Sequence, residues 1–266
     1  MARKIRFLLI LSFCCTYFLA CQSREEKYRE ILKTFEMALN SKDIENGMKY
    51  RKKLIGSGAD AVPVMMRVLP GKSGTFKSEI MYILEKLGEP AVHALIETLP
   101  SEEANVKLHI LSSLESLGNI KAVRGLEKFQ QTLGSSDPLQ VPTAKTLATL
   151  GSDKGFQILN NLLVSSDRDT RLNTAMLYSE LADNRSLSAL LKVIRSEEDR
   201  LVKNYIVEAI GKLKNIKTVP ILKKYALNDK KSVLVRESAA IAISRITGES
   251  CQYHDDKGKS VYPRKQ

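Results

Sequence analysis

The sequence predicts an all-α chain, a solenoid of about six to seven helix pairs with no significant β-sheet. The first observation behind this is a phrase that returns about every 30 to 33 residues: an apolar residue, a small or polar one, a short turn, then a new apolar run. It reads Leu87-Gly88 then Ala91-Val92, Leu117-Gly118 then Ala122-Val123, Leu150-Gly151 then Gly155-Phe156, Leu181-Ala182 then Ser186-Leu187, and Leu213-Lys214 then Thr218-Val219. An earlier copy runs from Gly58 to Val62, and a later half copy is Ile246-Thr247-Gly248. A fixed period of this size marks stacked units that each touch mainly their neighbours, not a domain around one core. The second observation is that each period holds two stretches with apolar residues at three- and four-residue spacing, as one buried helix face requires. The third is that no run alternates apolar and polar in the manner of a half-buried strand.

In chain order, Arg3, Lys4 and Arg6 form a charged start and Phe7 to Leu19 an apolar run of about 13 residues. Such a run is short for a bilayer span and has the layout of an export signal, although a buried first helix would also use it. Phe18-Leu19-Ala20-Cys21 resembles a bacterial lipobox, with Phe18 where Leu is commonest. The resemblance implies cleavage after Ala20 and acylation of Cys21, which would tether the chain to a membrane. Plain signal cleavage and a retained anchor are the alternatives. Residues 1–20 are thus expected to be a lipoprotein-type signal peptide and 21–57 an N-terminal helical cap, with helices over Glu25 to Leu39 and Asp43 to Ile55.

The array is expected over 58–248. Its first helices read Ala61 to Leu69, Ala91 to Leu99, Ala122 to Leu133, Gly155 to Val164, Ser186 to Arg195 and Thr218 to Leu227. Its second helices read Thr75 to Leu87, Glu103 to Leu117, Pro138 to Leu150, Asp169 to Leu181, Arg200 to Leu213 and Val233 to Thr247. Pro63, Pro90, Pro138 and Pro220 fall in or near first turns, where a missing amide costs little. Gly88, Gly118, Gly151 and Gly248 fall where a helix ends in a left-handed residue. Pro142 is expected to delay or bend its helix. Residues 249–266 break the period as a polar tail, with Ser250 to Tyr253 capping the last repeat and Lys257 onward loose.

Asp167-Arg168-Asp169-Thr170-Arg171 leading to Leu181-Ala182-Asp183, and Val235-Arg236 with Ser238-Ala239-Ala240-Ile241-Ala242-Ile243, resemble HEAT repeats of the short kind shared with bilin lyases. The resemblance covers roughly residues 54–248 and implies a right-handed α-solenoid whose second helices line a concave side. It speaks to fold more than to function, because the matching positions are packing and capping positions.

Aligning the second helices on their closing residue separates two kinds of column. Ten residues before the close stand Lys77, Lys107, Gln140, Arg171, Lys203 and Arg236, a basic ladder with one gap. Fourteen before it stand Ser73, Glu103, Ser136, Asp167, Asp199 and Ser232, all suited to helix starts. A cation one turn after such a cap, repeated along a stack, points to hydrogen bonding within and between repeats. The other columns are irregular and lie along one stripe, with His109, Tyr205, Glu208, Lys212 and Arg245 among them. Mixed chemistry of this kind suits a protein partner better than a uniform polyanion, and Tyr205 between Glu208 and Lys212 is the residue type that anchors interfaces.

The formal net charge is +12. Residues 200–236 hold ten basic and two acidic side chains, whereas 54–199 sum to −3. The basic stretch suits either plain solvated turns or an acidic host, wall or lipid surface. His93, His109 and His254 are too scattered for a metal cluster or a triad with Cys251, so no catalytic residue, metal or cofactor is expected. HEAT-like hydroxylases use His-Glu pairs, and no His here precedes Glu. Gly71-Lys72-Ser73 lacks the earlier glycine of a phosphate loop, Met66 standing there. Cys251 is left without an intrachain partner, either as an inert thiol or as a link between molecules. The expectation is a monomeric, lipid-anchored envelope scaffold that binds a protein and no nucleic acid. A maturation or lyase-like factor using the groove as a cleft, and an adhesin acting through 200–236, are the alternatives.

Overall fold

A computed structural model describes residues 22–134, 137–228 and 232–263. The expected signal, its cleavage point at Ala20, the anchor Cys21 and the cap position Ser136 lie outside these residues. Among the described residues the structure is all-α apart from one short hairpin, and the backbone packing divides into two compact units, Met1–Leu133 and Gly134–Gln266.

Unit 1 contains a helix over 22–40 (α1), α2 (Ile44–Gly56), α3 (Val62–Val68), α4 (Gly74–Leu87), α5 (Glu89–Thr98), α6 (Ala104–Leu117) and α7 (Val123–Thr132). The cap pair α1 and α2 joins this unit through its core, where the rings of Phe35 and Phe76 meet at 6.1 Å. Leu54, Met65, Ile80, Leu84, Leu95 and Ile110 of the same unit are fully buried. Burying each such side chain is worth about 1.5–3 kcal/mol, which is how an otherwise marginal helix of two to four turns is held.

Unit 2 contains α8 (Gln140–Thr149), α9 (Asp153–Leu162), α10 (Arg168–Leu181), α11 (Leu187–Val193), α12 (Arg200–Lys212), α13 (Val219–Asn228) and α14 (Val233–Thr247). Helices α10, α12 and α14 lie side by side in a row, with α13 packed against α14. The row is closely spaced at one point for a reason legible in sequence. A Cβ on Gly211 of α12 would sit 2.6 Å from Cβ and 2.9 Å from Cα of Ala242 on α14, so the two helices meet on the smallest residues.

Each first helix except those of the α4–α5 and α8–α9 connections is led in by a 3-10 turn, at Gly58–Ala61, Ile120–Ala122, Asn184–Ser186 and Ile216–Thr218. Asn119, Asp183 and Asn215 start three of these turns by accepting the amide two residues on. The second helices begin where the cap column places them. Ser73, Asp167, Asp199 and Ser232 accept amides of their own first turns, while Glu103 holds the cap position without a side-chain bond. Helix α8 starts late, at Gln140 and not at Pro138, because Asp137 first closes a turn by accepting the Leu139 amide at 2.8 Å. Pro142 thereby falls in the first turn, where it needs no hydrogen bond.

The tail differs from expectation. Tyr253–His254 (β1) pairs antiparallel with Ser260–Val261 (β2), and Asp255 accepts the amides of Lys257 and Lys259 in the intervening turn. The segment after Lys257 is therefore folded up to Val261 and not loose. Two-residue strands are too short to show alternation, which is why the sequence pattern did not reveal them. Tyr253 is buried, and the hairpin packs on α13 and α14, so it covers the end of unit 2.

Candidate binding face

Three second helices of unit 2 build the stripe. On α12, Tyr205, Glu208 and Lys212 follow one another at three- and four-residue spacing, so they share one side of the helix. All three are half-buried, and Arg245 on α14 and Met176 on α10 are exposed. Glu208 is the fixed point: the Ser179 hydroxyl of α10 donates to it at 3.0 Å and Lys212 pairs with it at 3.0 Å. Burial pushes its carboxyl pKa up, yet the bonds from Lys212 and Ser179 and the nearby charges of Lys212 and Arg245 outweigh this and hold it below the usual range. The Ser238 hydroxyl of α14 donates to Asn204 Oδ1 at 2.6 Å, and Lys145 of α8 lies 3.7 Å from Glu180 of α10. Neighbouring helices of the stripe are thus linked by Ser179 to Glu208, Ser238 to Asn204 and Lys145 to Glu180. Tyr205 sinks partly into the unit 2 core and does not project freely from the row.

His109 belongs to unit 1 and does not join this stripe. It is half-buried on α6, and burial followed by the charge of Lys77 lowers its pKa, disfavouring the protonated form. The ladder residues take several roles. Arg171 donates to Glu197 at 2.9 Å and to the carbonyls of Ser165 and Ser166, while Glu197 also accepts the amides of Glu198 and Asp199. Arg236 donates to the His254 carbonyl and pairs with Asp256 at 3.1 Å, which ties the tail hairpin to α14. Lys107 lies over the Phe129 ring at 5.8 Å, and Lys77 and Lys203 are half-buried. One connection was missed by the sequence reading: Arg168 donates to the cap residue Asp199 of the following repeat at 2.8 Å. Glu197 was missed too, although the run Glu197-Glu198-Asp199 before a helix start was a visible signal.

Hollows elsewhere are built of structural pairs. A cleft of about 440 Å³ in unit 1 lies among α1, α3 and α5, and Arg67 on its wall is held by Glu25 at 3.1 Å and Glu102 at 2.8 Å. Another of about 350 Å³ in unit 2 presents Asp137, Asp167 and Asp169, of which Asp167 is occupied by Thr170 as a helix cap. Among the described residues no group of three His, Cys, Asp or Glu side chains could hold a metal ion. No described helix is long and apolar enough to cross a membrane.

The family model for HEAT repeats matches residues 187–253, which run from α11 to β1. Solved structures with similar backbones include human deoxyhypusine hydroxylase in complex with glycerol, at 16% identity and a TM-score of 0.39, covering 87% of this chain and 99% of that one. An engineered protein is similar at 15% identity and a TM-score of 0.43, covering 70% and 96%. A designed armadillo repeat protein in complex with the peptide (KR)4 is similar at 14% identity and a TM-score of 0.34, covering 81% and 99%. No curated protein matches the sequence. Residues 187–253 are thus similar to HEAT repeats, and the described residues of both units are successive helix pairs apart from the β1–β2 hairpin.

Proposed function

We propose that this chain is an exported envelope protein, tethered by acyl chains at Cys21, that serves as a non-catalytic scaffold for a protein partner. The observation that carries the reading is the division of labour on the second helices of unit 2. Arg168, Arg171, Asp199 and Arg236 are spent on neighbouring segments of the array, and the stripe of Met176, Tyr205, Glu208, Lys212 and Arg245 is the mixed surface between them. Because Ser179 and Lys212 already hold Glu208, a partner docking there meets a carboxylate whose ordering is complete before binding. Tyr205, anchored in the core with part of its ring at the surface, is a rigid aromatic contact beside it. The cationic ends of Lys212 and Arg245 select an acidic rim on the partner.

The test is a photo-activated cross-linker placed at Met176 in living cells, with one at Lys223 of α13 as the control. A defined protein adduct is expected from position 176 only, and Lys212→Glu should reduce it by about tenfold, a loss of about 1.4 kcal/mol. Equal adducts from both positions, or turnover of a small molecule lost with the same stripe variants, would overturn the scaffold reading.

A further inference from the structure

Large exposed apolar side chains are mostly solitary among the described residues, as on ordinary surfaces. Met37, Ile44 and Met48, exposed by 62%, 77% and 49%, are different because they gather at one end of the α1–α2 hairpin. A tight turn brings them there: Lys42, at φ 57°, donates to the Leu39 carbonyl and Asp43 to that of Ala38. Ile44 therefore starts α2 beside the last turn of α1, and Met48 follows one turn later. Cations lie further along α2, beyond the carboxylates of Asp43 and Glu45 at its start. Lys49, Lys52 and Lys53 are exposed on α2, and none has a carboxylate within ion-pair distance among the described residues; Lys49 and Lys53 instead hold 5.8 Å from the Tyr50 ring. Arg51 is already taken by both oxygens of Glu79, each at 2.7 Å. Glu45 is the one acid of α2, and in α1 the acids Glu25, Glu26 and Glu30 sit in the first half, while Glu36 is bound by Lys72 at 2.7 Å.

We propose that this face of the α1–α2 hairpin rests on an anionic lipid surface. It deepens the envelope reading and rests on Cys21 as the anchor. Exposed apolar side chains followed along the same helix by unmatched lysines are satisfied together by the headgroup boundary, where methyl groups enter the acyl region and ammonium groups meet phosphates. Geometry favours lipid over a protein partner. A helix rises 1.5 Å per residue, so Gln22 at the start of α1, next in sequence to the proposed anchor, and Met37 are about 22 Å apart along one helix. Two contacts at the ends of that helix lay α1 along the membrane and fix how the array stands above it.

The full chain, purified from membranes, is reconstituted in phosphatidylcholine vesicles with and without phosphatidylglycerol, and acetylation rates of individual lysines are read by mass spectrometry. Lys49, Lys52 and Lys53 should react about threefold more slowly on the anionic vesicles, and Lys223 and Lys224 at unchanged rates. The protection should vanish in about 1 M salt, where the screening length falls to about 3 Å, and weaken in Met48→Ser. Equal rates on both vesicles overturn the proposal, including equal protection on both, as residues 1–21 folded over the hairpin would give. Stronger protection by polyglutamate in detergent than by lipid moves the face to a protein partner and also overturns it. A chain that floats with vesicles yet shows no lysine protection loses this inference and keeps its anchor, whereas one that floats with neither loses both.

Discussion

The two arginine positions of unit 2 and the lysine positions of unit 1 use the same column of the repeat differently. In unit 2 the residues ten before the end of α10 and α14 are Arg171 and Arg236, and each reaches beyond its own helix to bind the segment that follows in the array. In unit 1 the equivalent residues are Lys77 and Lys107, and Lys107 lies on the Phe129 ring. Unit 1 is cross-tied from other places, by Arg51 to Glu79, Arg67 to Glu25 and Glu102, and Lys72 to Glu36. The difference follows from side-chain chemistry. A guanidinium presents five donors in a fixed fork, enough for a carboxylate and two carbonyls at once, whereas an ammonium on a flexible stem does not hold such a set. One sequence column thus reads as one ladder and performs two jobs.

The comparison breaks first at Arg171. Glu197 is nearly buried, its side chain only 5% exposed, so Arg171→Ala leaves a carboxylate without its cation and should cost unit 2 about 3 kcal/mol. Hydrogen exchange of the α10 and α12 amides measures this. Arg236→Ala should cost about 2 kcal/mol, because the buried guanidinium binds a carbonyl but its carboxylate partner Asp256 is exposed. Its signature is faster exchange in β1 and β2 with α10 unchanged.

Acid offers the next test. Arg168, with the amides of Val202 and Leu201, holds the Asp199 carboxyl down at about 2. A depressed carboxylate pKa contributes stability that is present above the unfolded value and lost as pH falls through the folded one. The denaturant midpoint of unit 2 should therefore fall between about pH 4 and pH 2, and Asp199→Asn should flatten that fall while lowering the midpoint at neutral pH. The smallest effect is expected in unit 1, where Lys107→Ala should cost about 0.5 kcal/mol, the worth of a single half-buried lysine over a ring. A cost matching that of Arg171→Ala would erase the distinction between the units.

The helix pairs, their caps and their ends were legible because each rests on local chemistry. Ser73, Asp167, Asp199 and Ser232 cap the helices they precede, and Gly118 and Gly248 end theirs in the left-handed region. The same end position is taken by Ala182 at φ 47° and Lys214 at φ 52°, where the repeat geometry overrides the residue's own preference. What stayed hidden depends on register between helices. The reach of Arg168 to Asp199, of Ser179 to Glu208 and of Ser238 to Asn204 requires knowing which turn faces which, and a single sequence does not carry that. Tyr205 shows the limit most plainly. Its polar neighbours Glu208 and Lys212 pointed to an interface anchor, and nothing in the sequence showed that the packing of α12 against the core draws the ring halfway in.

The central claim is that the columns that bind the array together are separate from the columns that bind a partner. Arg171→Lys and Lys212→Glu, each carrying the cross-linker at Met176, put that separation in one measurement of stability and adduct yield. The account predicts that Arg171→Lys lowers stability and leaves the adduct per folded molecule intact, while Lys212→Glu leaves stability within about 1 kcal/mol and lowers the adduct about tenfold. Loss of the adduct in Arg171→Lys at unchanged stability, with Lys212→Glu still cross-linking, would contradict it.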